Sequence, residues 1–239
     1  MAQLRVLHEF TDPALVDEIV AAADRLRDTP GCASAEVYRT LADEDHWALT
    51  EIWDSEDDYA RHWDRIVAGE EPALREIAVR GSTEFYARAP YALVGARWVP
   101  EGEDETARRI FWPARGALRI IIQNAYEPEP TMREATRAEI DETRREPGCL
   151  AYAWMENVEV PNHLMLLEVW SDQLIYDRHW EGRLRSVELR GDSGRRATAP
   201  SRGPVSREFY RQQRFRAQYG AWQPAEVGEW AASVSWSAT

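Results

Sequence analysis

Cysteine is almost absent from the chain, which has two, Cys32 and Cys149, among 239 residues. Both stand in the same tripeptide, Pro-Gly-Cys, at residues 30–32 and 147–149. A disulfide between them would require Cα atoms within about 7 Å and correctly directed side chains. We therefore expect two small, buried, free thiols and no disulfide framework of the kind found in small secreted proteins.

Long apolar runs are also missing. No stretch reaches the roughly 18 apolar residues of a membrane-spanning helix. The first ten residues, MAQLRVLHEF, lack the basic start and apolar core of a secretion signal. The sequence alone predicts a cytoplasmic protein without a membrane partner.

Lysine does not occur, and all 29 basic residues are arginine. The net charge of -13 and the isoelectric point near 4.9 would repel a phosphate backbone, so no nucleic-acid partner is expected. A Gly-rich phosphate loop, zinc-spaced cysteine pairs and a Gly-x-Ser-x-Gly elbow are absent too. These absences argue against nucleotide, metal and serine-hydrolase chemistry, and no metal ligand is predicted.

The chain instead contains an internal repeat. Residues 13–63 align with residues 130–180 at a constant offset of 117, with 15 identities in 51 positions. A second block, residues 82–86 and 206–210, matches at an offset of 124. A duplication of this length predicts two domains of roughly 100 to 120 residues. We expect one domain over residues 1–100, an acidic linker over 101–114 and a second domain with a C-terminal extension over 115–239.

Each copy has the pattern of a βαββαβ unit. In the first copy the predicted elements are a strand at Leu4–Phe10, a helix opened by Pro13 and closed by Pro30 and Gly31, strands at 34–40 and 46–53, a helix capped by Ser55, and a strand at 83–88. This order predicts an α+β, ferredoxin-like fold in each copy. Since each sheet has helices on one face only, we expect the two sheets to cover each other.

The repeated residues resemble a known family. They are the Pro-Gly-Cys turn, Glu51-x-Trp53 and Glu168-x-Trp170, and the tyrosines six residues after each tryptophan, Tyr59 and Tyr176. In these features the chain resembles the antibiotic biosynthesis monooxygenase family of the dimeric α/β barrel superfamily. Single-domain members pair through their sheets, so the resemblance implies a pseudo-dimer built within one chain. The fused chain could itself form a homodimer.

The resemblance also implies an activity, oxidation of anthrone-like aromatic polyketides by O2 in antibiotic biosynthesis. Such an enzyme needs no metal, flavin or haem, because the deprotonated substrate itself reduces O2. Trp53 and Tyr59, or Trp170 and Tyr176, match the family's pocket positions and would bind the aromatic substrate.

Proton transfer requires a base beside that pocket. His62 and His179 each follow the tyrosine by three residues, on the same helical face, and could remove the substrate's proton. Arg178 could grip an acidic substrate. We expect Glu51 and Glu168 to pair with arginine across the sheets.

One residue of possible catalytic importance is present in the second copy and not in the first. Asn124 occupies the position where haem-degrading relatives carry an asparagine, whereas a gapless alignment places Leu7 there in the first copy. A catalytic asparagine would favour the second copy as the active one.

Three alternative functions remain open at this stage. A haem-binding or haem-degrading protein would use His62 or His179 as the axial ligand. A polyketide cyclase or isomerase would use the same pocket without O2. A non-catalytic protein would bind an aromatic ligand and leave it unchanged.

Overall fold

The computed structural model describes residues 3–42, 44–94, 97–100, 116–127, 130–190, 197–198 and 205–225. The linker predicted at 101–114 lies outside these residues. The described elements are, in chain order, β1 (Leu4–Phe10), α1 (Val16–Arg27), β2 (Cys32–Thr40), β3 (Trp47–Trp53), α2 (Glu56–Val67), α3 (Pro72–Arg80), β4 (Ser82–Ala87), β5 (Tyr91–Val94), β6 (Arg97–Pro100), β7 (Leu118–Tyr126), α4 (Pro130–Thr143), β8 (Cys149–Asn157), β9 (His163–Trp170), α5 (Gln173–Arg190), β10 (Ala197–Thr198), β11 (Ser206–Arg211), β12 (Phe215–Gln218) and β13 (Ala221–Pro224).

Repeat 1, the elements from β1 to β4, forms an antiparallel sheet in the order β2-β3-β1-β4. Repeat 2, the elements from β7 to β11, has the same order, β8-β9-β7-β11. The second strand of each repeat even carries a register shift at the same place, after Cys32 and after Cys149. The predicted α+β class, with one ferredoxin-like unit in each repeat, is confirmed.

The Pro-Gly-Cys turn fixes the end of the tryptophan strand. Gly31 and Gly148 have φ values of 86° and 85°, a left-handed conformation that glycine adopts most readily. The Gly31 carbonyl accepts a hydrogen bond from the Asp54 amide, and the Gly148 carbonyl accepts one from the Ser171 amide, both at 2.8 Å. These amides directly follow Trp53 and Trp170, so each turn holds the backbone beside an indole that both repeats share.

Helix α3 was not predicted. Its signal is present, since Pro72 opens a segment in which Ala73, Leu74, Ile77 and Ala78 recur at helical spacing and are buried. The helix joins the core of repeat 1 beneath β1 and β4. In repeat 2, helix α5 continues as one helix of 18 residues from Gln173 to Arg190.

The chain divides into two compact units that do not follow the order of the sequence. One unit is Met1–Arg88 with Gln213–Thr239, and the other is Ala89–Gln212. The hairpin β12–β13, at the end of repeat 2 in sequence, therefore packs in the unit of repeat 1. The hairpin β5–β6, which follows repeat 1, packs in the unit of repeat 2.

Aromatic contacts hold both hairpins in place. Trp222 of β13 lies 4.4 Å from Trp63 and 4.8 Å from Phe85, measured between ring centroids. Tyr91 of β5 lies 5.1 Å from Phe209 of β11. Each repeat is thus completed by a segment that the sequence places after the other repeat.

Both cysteines are free thiols, as predicted, but they are half-buried and not fully buried. Burial raises the pKa of Cys32 to about 12 and that of Cys149 to about 11, with nearby Glu51 and Glu168 adding to the effect. Both thiols are therefore protonated at neutral pH and poorly nucleophilic.

No helix in the described part of the chain is both long and apolar enough to span a membrane.

Candidate functional site

Three aromatic residues of repeat 2 meet between the sheet and helix α5. The ring of Trp170, at the end of β9, lies 4.6 Å from the ring of His179 and 6.2 Å from that of Tyr176. The rings of Tyr176 and His179 are 6.3 Å apart. The structure therefore brings together the three residues that the sequence predicted for one pocket. With Glu168 and Glu146, described next, they form what we call the Trp170 cluster.

Glu168 is a buried carboxyl in this cluster. Its Oε2 accepts a hydrogen bond of 2.7 Å from the Trp170 indole nitrogen, and the residue is 3% exposed. Burial raises the pKa of Glu168 to about 7, and this effect outweighs the hydrogen bond from Trp170, which lowers it. The predicted pairing with arginine is wrong, because the partner of Glu168 within the described residues is the indole.

His179 is oriented by a second carboxylate. Its Nδ1 lies 2.8 Å from Oε2 of Glu146, a residue at the end of the connection between α4 and the Pro-Gly-Cys turn. This bond directs Nδ1–H toward Glu146 and leaves Nε2 as the basic nitrogen. Burial nevertheless lowers the pKa of His179, although Glu146 opposes the shift. The imidazole is therefore neutral at pH 7 and able to accept a proton.

More polar groups line the same side of the sheet. Glu139 of α4 accepts hydrogen bonds from the hydroxyl of Tyr152 and, at 3.2 Å, from the indole nitrogen of Trp154. Arg183 of α5 donates to the hydroxyl of Thr143 at 2.7 Å. Strand β8 and helices α4 and α5 thus all direct polar side chains toward the layer that contains the Trp170 cluster.

Repeat 1 has the same aromatic residues in a similar arrangement. The ring of Trp53 lies 5.0 Å from His62 and 5.8 Å from Tyr59. Glu51 accepts a hydrogen bond of 2.6 Å from the Trp53 indole nitrogen, again in place of the predicted arginine. All four side chains are buried.

A histidine on β1 distinguishes the two carboxyls. His8 Nε2 lies 3.4 Å from Oε1 of Glu51. Burial opposes the ionisation of Glu51, but the hydrogen bond and charge of His8 outweigh it and lower the pKa of Glu51. In repeat 2 the corresponding residue is Ile122, since His8 pairs with Leu49 and Ile122 pairs with the equivalent Leu166.

The histidine of repeat 1 lacks the orienting carboxylate. Thr29 occupies the position in repeat 1 that corresponds to Glu146. His62 is 3% exposed, and neither ring nitrogen has a hydrogen-bond partner in the part of the chain that the structure describes. Burial lowers the pKa of His62, so this ring is held neutral.

The surroundings of the two clusters also differ in polarity. Six positions of repeat 1 that are buried in its apolar core have polar or amphipathic residues in repeat 2. Those of repeat 1 are Ile19, Ala22, Leu26, Ala35, Val37 and Ile66, and those of repeat 2 are Thr136, Glu139, Thr143, Tyr152, Trp154 and Arg183. Burying polar groups costs free energy that aliphatic residues avoid, so the two cores should differ in how much they stabilise their repeats.

The predicted alignment of Asn124 with Leu7 is wrong. Leu7 pairs with Thr50, and the residue that pairs with the equivalent Leu167 is Ile121. Strand β7 contains one extra residue between Ile122 and Ala125, and Asn124 lies in this bulge with a φ of 66°. A gapless alignment cannot accommodate such a bulge. The catalytic role of Asn124 stays a prediction.

Arg178 is exposed on α5, next to the buried Tyr176 face of the helix. Its counterpart Arg61 is also exposed and pairs with Asp58. Substrate binding by Arg178 stays a prediction.

In the described residues no group of three or more His, Cys, Asp and Glu side chains has the arrangement of a metal site.

Sequence reasoning missed Glu146, Glu139, Tyr152 and Trp154. A signal for them exists, because the repeat alignment sets these polar or amphipathic residues against Thr29, Ala22, Ala35 and Val37. Comparison of the two copies for differences, as well as identities, would have found them.

Several solved structures resemble the chain loosely. A candidate monooxygenase from Fusobacterium nucleatum subsp. nucleatum matches at 11% identity over 87% of this chain and 92% of that one, with a TM-score of 0.32. A candidate monooxygenase from Lactobacillus acidophilus matches at 13% identity over the same shares, also with a TM-score of 0.32. An anthrone oxidase-like protein matches at 14% identity over 88% of this chain and 91% of that one, with a TM-score of 0.33. Scores this low carry no information about activity.

No curated protein sequence matches the chain. The antibiotic biosynthesis monooxygenase family, by contrast, matches it at residues 1–65 and again at residues 119–183, together more than half of its length. The two matches fall on the two repeats and include both tryptophan clusters. The chain therefore belongs to the antibiotic biosynthesis monooxygenase family and contains the family's domain twice.

Proposed function

We propose that the protein is a cofactor-independent monooxygenase that oxidises an anthrone-like or phenolic aromatic polyketide with O2, and that the reaction takes place at the Trp170 cluster. Family membership supports the monooxygenase type of activity. The observation that carries the choice of site is the hydrogen bond between His179 and Glu146, which His62 does not make to any described residue of repeat 1.

The chemistry fits a site made of aromatic rings and one oriented base. Removal of a proton from an anthrone or phenol gives an electron-rich anion, which can transfer an electron to O2 without a cofactor. The rings of Trp170 and Tyr176, which are 0% and 3% exposed, would form the apolar wall of such a site. His179, neutral and oriented by Glu146, accepts the proton through Nε2.

Repeat 1 has a structural role in this proposal. His62 is buried among aromatic rings, and the position equivalent to Glu146 is Thr29. Trp53 and Tyr59 belong to an apolar core of aliphatic and aromatic side chains that includes Ile66 and Phe85. A core of this kind stabilises the fold, and its buried carboxyl, Glu51, is paired with His8 and does not orient His62.

The experiment is aerobic incubation of the chelator-treated protein with an anthrone, followed by O2 consumption and product mass. Trp170→Phe should reduce kcat/KM about tenfold or more, because it removes the indole donor that contacts Glu168 and changes the ring beside His179. Trp53→Phe makes the same chemical change in repeat 1 and should retain most of the activity. The melting temperatures of both variants are measured in parallel, since each variant replaces a buried indole with a smaller phenyl ring.

Other results would overturn the proposal. No acceleration over buffer across several anthrones and phenols would contradict oxygenase activity. A product that differs from the substrate only by the loss of water would indicate a cyclase. A Soret band on addition of haem that disappears in His179→Ala would indicate a haem protein. Equal losses in Trp170→Phe and Trp53→Phe would contradict the assignment to repeat 2.

A further inference from the structure

We propose that Glu168 is the general acid of this oxidation and that it donates its proton to the reduced oxygen, whereas His179 accepts the proton of the substrate. The inference rests on the proposed function and adds to it a second proton-transfer residue, one that the family resemblance does not supply.

The geometry places the two groups on the same indole. The nitrogen of Trp170 donates to Glu168 at 2.7 Å, and the ring of His179 lies 4.6 Å from the ring of Trp170. A substrate that binds against Trp170 would therefore lie near both the Glu168 carboxyl and the His179 imidazole. Acid and base are separated by the residue that would position the substrate.

The groups around Glu168 favour its protonated form. Glu139 of helix α4 and Glu146 of the connection that follows it carry negative charges that disfavour the ionisation of Glu168. Helix α5 contributes Arg183, which favours the charge, and the hydrogen bond from Trp170 does the same. Burial outweighs them and raises the pKa of Glu168 to about 7.

The strands on either side of β9 add no positive charge on this face. Tyr152 of β8 lies directly opposite Glu168, and Cys149 is a protonated thiol. On β7 the residue opposite Glu168 is Ile120, and Ile122 follows on the same face. At neutral pH a substantial fraction of Glu168 is therefore protonated while His179 is neutral. Active sites that use an acid and a base often have surroundings that move the two pKa values apart, so that one group is protonated and the other is not.

Repeat 1 provides an internal comparison. Glu51 has the same indole partner as Glu168, but it also has His8 at 3.4 Å where repeat 2 has Ile122. This histidine keeps Glu51 ionised, so Glu51 has no proton to donate. The difference between His8 and Ile122 on the first strand of each repeat thus determines that Glu168 can act as an acid and Glu51 cannot.

The reaction balances with these two groups. His179 takes a proton from the ring methylene of the anthrone, and the carbanion reduces O2 and joins it through a new C–O bond. Glu168 protonates the distal oxygen of the resulting peroxide. The Glu168 carboxylate then takes the remaining C–H proton, the O–O bond breaks, and His179 returns its proton to the departing hydroxide. The products are the quinone and water, and O2 accepts all four electrons of the two C–H bonds.

The first test follows the carboxyl without turnover. Infrared difference spectra of the wild type should contain the C=O band of a protonated carboxylic acid that disappears as pH rises, with a midpoint near 7. The band should be absent in Glu168→Gln and present in Glu51→Gln. Ile122→His should move the midpoint to lower pH, and His8→Ile should add a second titrating carboxyl from Glu51. A wild-type spectrum without this band, or one unchanged in Glu168→Gln, would overturn the inference.

The second test uses the anthrone reaction. Glu168→Gln should lower kcat on the order of 100-fold with little change in KM, and it should accumulate a species with the mass of the substrate plus two oxygen atoms. Glu51→Gln should leave kcat unchanged. Since a glutamine can still accept the indole hydrogen bond, the fold of Glu168→Gln should survive, and Ile122→His gives an independent variant with an intact carboxyl.

The two proposals fail in different ways. If the wild type oxidises anthrones and Glu168→Gln does so at the same rate, the role of Glu168 is overturned and the proposed function stands. If the wild type oxidises none of them, the proposed function is overturned, and the role of Glu168 with it.

Discussion

At the scale of single residues, the two repeats keep the same side chains but give them different partners. His62 and His179 are equivalent in sequence, yet among the residues that the structure describes only His179 hydrogen-bonds to a carboxylate, that of Glu146. The carboxyls Glu51 and Glu168 share an indole partner but differ in whether a histidine lies nearby. The shared histidines and glutamates therefore differ in protonation because their neighbours, such as Glu146 and His8, are not shared between the repeats.

The partner of His179 can be tested by exchange between the repeats. Glu146→Gln should lower the pKa of His179 further, because the carboxylate that stabilises the imidazolium is lost while the burial remains. Thr29→Glu should raise the pKa of His62, the matched change in repeat 1. Titration of the histidine ring protons by NMR measures both shifts, and a rise in the pKa of His179 in Glu146→Gln would contradict the assignment.

The stability of the protein should depend on the proton of Glu168. Its pKa in the folded state is raised from 4.5 to about 7, so ionisation costs more in the folded than in the unfolded protein. The stabilisation from this group is complete below pH 4.5 and is lost as pH rises through 7, a change of roughly 3 kcal/mol at most. Denaturant unfolding should show a smaller decrease between pH 5 and 8 for Glu168→Gln than for the wild type, and parallel pH curves would contradict this expectation.

The Pro-Gly-Cys turn should not tolerate a side chain. Gly148 has a φ of 85°, and an added Cβ would lie 2.7 Å from Ile175 Cδ1 and 2.8 Å from Ser171 Oγ. Gly148→Ala should destabilise the protein by about 1–3 kcal/mol, from backbone strain and this overlap. Gly182→Ala, in the middle of α5 with open space around it, should instead stabilise by about 0.5–1 kcal/mol. Thermal unfolding of both variants checks the opposite signs.

At the scale of elements, most of the secondary structure could be predicted, because period-2 and period-3.6 patterns arise from local geometry. The observed β1 has the predicted bounds Leu4–Phe10, and Ser55 caps α2 as expected, accepting a hydrogen bond from the Asp58 amide. The bulge at Asn124 could not be predicted, since an extra residue in one strand is visible only against its partner strand. The exchanged hairpins were equally inaccessible, because local sequence does not specify which repeat a segment will contact.

The hairpin β12–β13 should contribute strongly to the stability of repeat 1. Trp222 is buried against Trp63 and Phe85, and the Trp63 indole nitrogen donates to the Gly220 carbonyl at 3.0 Å. Trp222→Ala should destabilise the protein by about 3–5 kcal/mol. Tyr219→Asn, at an exposed position of the same hairpin with a φ of 54°, should change stability by less than about 0.5 kcal/mol. Equal effects of the two substitutions on denaturant unfolding would contradict this role.

At the scale of the whole molecule, duplication has produced one repeat with an aliphatic core and one with a polar layer beneath its helices. A duplicated domain relieves one copy of the residues required for chemistry, so that copy can accumulate apolar substitutions that increase stability. The intramolecular pairing of the two sheets stays a prediction from the family resemblance.

Hydrogen exchange should reveal this division. Repeat 2 buries Thr136 and Thr143 beneath its helices at the positions where repeat 1 buries Ile19 and Leu26. The amides of α4 and β9 should therefore exchange faster than those of α1 and β3, with opening free energies lower by about 1–3 kcal/mol. Exchange measured by mass spectrometry on wild-type protein tests this, and equal protection in both repeats would contradict a division between structural and functional copies.

Sequence was enough to predict the duplication, the βαββαβ order that the repeats share, the ferredoxin-like class and the tryptophan, tyrosine and histidine of each cluster, because all of these depend on local patterns and on identities between the copies. The folded protein was needed to see that Glu146 lies beside His179, that repeat 2 has Ile122 where repeat 1 has His8, and that each hairpin packs in the other repeat's unit. Those features depend on contacts between residues far apart in the chain. Burial and neighbouring charge, the forces that set the protonation of Glu168 and His179, arise only once those contacts have formed.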